Sequence, residues 1–86
     1  MNINQLIEIV KNKLNSNLKC DNIEIEDKTF LHKNHSSHEK NKFHIKIMIK
    51  SDYLKKKNKI QATKDIYKIL KKELKNDIHS IQILIN

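Results

Sequence analysis

The chain contains no glycine, no proline and no tryptophan, and none of its 18 basic residues is arginine. Without glycine there is no Walker loop, no dinucleotide-binding turn and no Gly-x-x-Gly clamp for an RNA strand. Without arginine the forked donors that read phosphates and guanine edges are missing, and lysine offers phosphate only diffuse attraction. The single cysteine, Cys20, excludes an internal disulfide and fits a reducing compartment. No apolar run approaches the ~20 residues that a membrane span needs. The opening stretch MNINQLIEIVKNKL carries Glu8 and lysines at helical spacing, unlike a secretory signal, and lacks the arginines of a transit peptide. The expectation is a cytoplasmic protein with no membrane partner, nuclear and mitochondrial sites remaining open.

What is present is a short, basic, isoleucine- and lysine-rich chain of 86 residues with a formal net charge of +8. That length predicts a single domain over residues 1–86, near the lower limit for a self-sufficient core. The charge invites a nucleic-acid partner, but the lysines fall evenly across the whole chain, which weakens that signal. Ile3, Leu6, Ile7, Val10 and Leu14 recur at three- and four-residue steps, predicting a helix over about residues 3 to 18. NIEIED alternates Ile23 and Ile25 with acids, as in a strand with one buried face. KFHIKIMIK alternates again, Phe43, Ile45, Ile47 and Ile49 against Lys42, His44, Lys46, Met48 and Lys50. After a polar connection with Ser51 or Asp52 as a cap, Ile60, Thr63, Tyr67, Leu70 and Leu74 predict a second long helix, its stripe widened by Ile66 and Ile69. IHSIQILI closes the chain as a strand in which His79, Ile81, Ile83 and Ile85 share one parity.

The resulting order, α–β–β–α–β, predicts an α+β two-layer sandwich of KH-like layout. Its helices pack on one face of a three-stranded mixed sheet, and a crossover makes the last strand parallel to one of the first two. The chemistry is sparse. Ser36, Ser37 and Thr29 lie near histidines in a polar stretch without an arranged nucleophile and base, and Glu24, Glu26 and Asp27 read as a solvated strand face. A chain this small has little room for an enclosed substrate cleft, so no enzymatic activity is expected.

The histidines carry the remaining signal. HKNHSSH places His32, His35 and His38 at every third position of the segment between the first two strands. Imidazole is the commonest side-chain metal ligand, but a structural zinc site wants four ligands with cysteine prominent, and Cys20 precedes the first strand. A self-sufficient zinc protein would purify with stoichiometric metal and lose stability on chelation. The alternative for each of the three is a solvated side chain. His44 falls on the polar face of its strand and takes no role. His79 reads either as a half-buried histidine at a strand end or as an exposed ligand at the sheet rim, near where the long loop folds back.

In their order and spacing, IEIEDKTFLHKNH, KFHIKIMIKSDYL, IYKILKKEL and DIHSIQI resemble the BolA family. Asp27 and Thr29 match the acidic-x-Ser/Thr step that ends the family's first strand. His32 and His35 match its histidine loop, Phe43 the opening of its second strand, Ser51 and Tyr53 the close of that strand. Ile78-His79-Ser80-Ile81 match the start of the last strand. The likeness runs over nearly the whole chain. It departs at Ala62-Thr63-Lys64, where the family has Arg-His-Arg, so no basic contact is carried over to that helix. It departs also at Lys42, where a histidine is usual, at Asn34 in place of the loop glycine, and at Tyr53-Leu54-Lys55 in place of Phe-x-Gly.

What the resemblance implies is one half of a shared site. BolA proteins bind monothiol glutaredoxins of the Cys-Gly-Phe-Ser type and share a 2Fe–2S cluster with them, the glutaredoxin and glutathione thiolates holding one iron. The implied metal ligands here are His79 and one loop histidine, His35 first, His38 next and His32 third. The implied role is an adaptor in iron–sulfur cluster trafficking or iron sensing, a monomer alone and a heterodimer with glutaredoxin, with no cofactor of its own. The alternative is a small KH-like nucleic-acid-binding regulator, favoured by the +8 charge and disfavoured by the missing arginine, glycine loop and aromatic stacking platform.

Overall fold

The structure, a computed structural model, describes residues 2–29 and 42–86. Helix α1 (Ile3–Asn17) starts at a capping box: the Asn2 side chain accepts from the Gln5 N–H, and the Gln5 side chain accepts from the Asn2 N–H. Leu6, Val10 and Leu14, one helical turn apart, form its fully buried stripe. Strand β1 (Asn22–Asp27) runs antiparallel to β2 (Phe43–Lys50), and β2 runs parallel to β3 (Ile78–Ile85), giving the sheet order β1-β2-β3. Between β2 and β3 lie α2 (Asp52–Lys56), α3 (Lys59–Ile69) and α4 (Lys71–Asn76). This is the two-layer α–β–β–α–β sandwich expected from the hydrophobic pattern.

Ile23, Ile45, Ile47, Ile49 and Ile78 of the sheet meet Leu6, Val10, Leu14, Leu54, Ala62, Ile66 and Leu70 of the helices in one continuous core. The polar connection after β2 contains a single helical turn. Ser51, fully buried, accepts from the Leu54 N–H at 3.1 Å and donates its hydroxyl hydrogen to the Lys19 carbonyl. One hydroxyl thereby caps α2 and ties it to the segment entering β1.

The second long helix differs from its sequence reading in two ways. It breaks at Leu70, whose dihedrals (φ −97°, ψ 17°) leave the helical region while its N–H is shared between the carbonyls of Ile66 and Lys68. Its buried stripe is Ala62, Ile66 and Leu70, followed by Glu73, whereas Tyr67 is 44% and Ile60 68% exposed. In this phase α3 contacts α1, and Glu73 in the following helix meets Lys13 of α1. The Lys13 ammonium donates to both Glu73 oxygens, at 2.9 and 2.7 Å. Among the described residues no helix is long and apolar enough to cross a membrane.

Candidate functional site

The site lies at the end of the sheet where β1 finishes and β2 and β3 begin. Asp27 and Thr29 secure the departing chain. The Asp27 carboxylate accepts from the Thr29 N–H at 2.9 Å and from the Thr29 hydroxyl at 2.5 Å. The Thr29 oxygen in turn accepts from the His44 N–H at 3.2 Å, and the Lys28 N–H donates to the His44 carbonyl at 2.7 Å. The acidic-x-Thr step thus extends the β1–β2 pairing past the end of the strand. It places the departure of the 30–41 segment directly beside His44.

On the other side of His44 the ladder is irregular. Phe43 is opposite Ile78 and His44 is opposite Ser80, so His79 is an extra residue, a bulge, in β3. A bulge re-aims a side chain by breaking the two-residue alternation. Here it turns Ile78 into the core and leaves Ile81, Ile83 and Ile85 on the half-buried face, while His79 is exposed. The shared parity of His79 with those isoleucines, read from the sequence, is therefore broken by the bulge. His79 is the exposed residue at the sheet rim, and Ile78 takes the buried place.

His44, given no role by the sequence, is the second histidine at this end. Only 4% exposed, it sits with its ring centre 4.9 Å from that of His79, the planes tilted by 52°. Its Nδ1 lies 2.5 Å from the Ser80 hydroxyl on the neighbouring strand. The signal that would have found it is the register: counted through the bulge, Ser80 falls opposite His44. A cavity of about 340 Å³ opens beside His44, lined also by Lys28, Lys46, Ser80 and Gln82. The Lys28 ammonium, 2.7 Å from Glu26, holds the Glu26 carboxyl below its ordinary value by hydrogen bond and charge.

His79 is thus at the sheet end that the histidine segment leaves and rejoins. His32, His35 and His38 lie outside the described residues. Among the described residues no group of three His, Cys, Asp or Glu side chains could hold a metal ion. Cys20 is half-buried at the opposite end of the sheet and packs against the core. Desolvation first, and the Asp21 charge second, push its thiol above the ordinary value.

Two layers in α–β–β–α–β order, with a histidine bulge at the start of a parallel last strand, define a small KH-like α+β domain. The family model for BolA-like proteins matches residues 14–86, and the chain belongs to that family. The BolA domain of SufE1 from Arabidopsis thaliana superposes with a TM-score of 0.77 at 26% identity, over 94% of this chain and 90% of that one. BolA1 from Arabidopsis thaliana gives 0.76 at 22% identity, over 93% and 88%. The solution structure of BolA1 from Mus musculus gives 0.73 at 16% identity, over 92% and 62%. The last two show likeness of fold alone. No curated protein sequence matches the chain.

Proposed function

We propose that this chain is an adaptor that binds a monothiol Cys-Gly-Phe-Ser glutaredoxin and shares a 2Fe–2S cluster with it, in cluster trafficking or iron sensing. It carries out no reaction of its own and works in the cytoplasm. The observation that supports this most is the bulge at His79, which frees one imidazole from the alternating strand pattern and exposes it. The donor set fits a partial site. The described residues include no three-donor group, so an iron bound at His79 needs donors from elsewhere, and glutaredoxin and glutathione thiolates are such donors. The second ligand follows from the resemblance as His35, with His38 and then His32 behind it. Imidazole in place of thiolate raises a cluster's potential, as in Rieske centres. Lys28 and Lys46 beside the site add attraction for glutathione carboxylates or an acidic partner face, an effect that salt weakens.

The test is anaerobic assembly of the chain with glutaredoxin, glutathione, iron and sulfide, read by visible circular dichroism. The wild type should give a spectrum unlike that of the glutaredoxin homodimer. His79→Ala should revert it, and single alanine variants at His35, His38 and His32 should identify the loop ligand. A spectrum that remains that of glutaredoxin alone removes the proposal.

A further inference from the structure

We infer that His44, braced by Ser80, is a positioning residue that holds the His79 imidazole in place. The inference rests on the reading of His79 as a metal ligand and adds what aims it. The bulge takes His79 out of the regular strand register. At this bulge a second ring lies beneath the first. The 4.9 Å separation with tilted planes is the spacing of a packed aromatic pair. The supporting ring is buried, and its Nδ1 is tied to Ser80, the residue next to His79 in β3. The chain thus closes a small circuit, from His79 through its neighbour Ser80 to His44 and back to the His79 ring. His44 is also fixed from β1, because its N–H donates to Thr29 and its carbonyl accepts from Lys28. Movement of any one of the three strands at this end is therefore passed to the His79 ring.

Burial and the Ser80 bond distinguish support from ligation. A ligand must face the incoming group, as exposed His79 does, whereas His44 is enclosed and one of its two nitrogens is engaged within the chain. Removing the hydrogen-bonding partner of a metal-binding histidine changes affinity by about 10- to 100-fold, and a packed ring is expected near the lower end of that range.

The test uses His44→Leu and Ser80→Ala beside His79→Ala, with thermal melting to confirm folding; exposed Ser80 keeps the test open should His44→Leu not fold. In the free chain, NMR couplings across the His79 Cα–Cβ bond should report one rotamer for wild type and averaged rotamers for both variants. In the cluster-loaded complex with glutaredoxin, both variants should keep the cluster but lose iron to a chelator at least about tenfold faster. Averaged couplings in the wild type, or unchanged couplings and release in the variants, would overturn the inference. Loss of the cluster in His44→Leu to the extent seen in His79→Ala, with Ser80→Ala unaffected, would overturn it by making His44 a ligand. A wild-type chain that forms no mixed cluster defeats the glutaredoxin reading, and the free-chain couplings then decide the positioning question alone.

Discussion

Lys13 of α1 closes on both carboxylate oxygens of Glu73 in α4, joining residues 60 apart in sequence across the helical layer. The two partners are unequally placed, with the Lys13 side chain 36% exposed and that of Glu73 only 5%. The pair therefore breaks asymmetrically. Removing the lysine leaves a carboxylate in a nearly dry site, whereas removing the acid leaves an ammonium that water can reach.

Lys13→Met is thus expected to destabilise the fold by about 2–3 kcal/mol, below the roughly 3–5 kcal/mol of a fully buried pair because Lys13 is partly exposed. Glu73→Gln keeps the shape and removes the charge, and is expected to cost about 1 kcal/mol. Urea denaturation of the two variants at neutral pH measures both. Equal losses would mean that the pair is effectively solvated.

The phase of α3 gives a second prediction. Ile66 is fully buried and Ile60 is 68% exposed, although both belong to the broad apolar stripe seen in the sequence. Ile66→Ala should cost about 2–5 kcal/mol through lost burial and the cavity left behind. Ile60→Ala should stay within about 0.5 kcal/mol, as surface changes do. A reversed order in thermal melting would place the sequence-predicted stripe, not the observed one, against the sheet.

Cys20 gives a prediction in pH. Its thiol is pushed up by burial first and by Asp21 second, so at a given pH below that raised value less of it is thiolate than in an unstructured cysteine. Alkylation at pH 8 should be several-fold slower than for a peptide cysteine, and the rate should keep climbing at a pH where the peptide has levelled off. Asp21→Asn should recover only part of the difference, and unfolding in urea the rest. Full recovery by Asp21→Asn alone would make charge, not desolvation, the main cause.

Most of the architecture is legible in the sequence because it rests on periodicity. The three- and four-residue steps of Leu6, Val10 and Leu14 and the alternation of Ile45, Ile47 and Ile49 give α1 and β2 with the buried faces observed. Three features escape for one physical reason: periodicity assumes an unbroken element. Without glycine or proline to mark it, the break at Leu70 has no local signal. Likewise nothing within IHSIQILI marks an extra residue, because a bulge exists only relative to the partner strand. His44 was hidden for the same reason, since the His79 ring and the Ser80 hydroxyl that it meets lie 35 and 36 positions further along. The family motifs, by contrast, singled out His79 directly.

Under the proposed function, this chain completes a cluster site together with glutaredoxin and glutathione donors. Native mass spectrometry of the anaerobic mixture with glutaredoxin, glutathione, iron and sulfide tests it most directly. The expected result is one species holding one copy of this chain, one glutaredoxin, one glutathione and one 2Fe–2S unit, absent when His79→Ala replaces the wild type. A cluster found only on glutaredoxin homodimers, with this chain at its bare monomer mass, would contradict it.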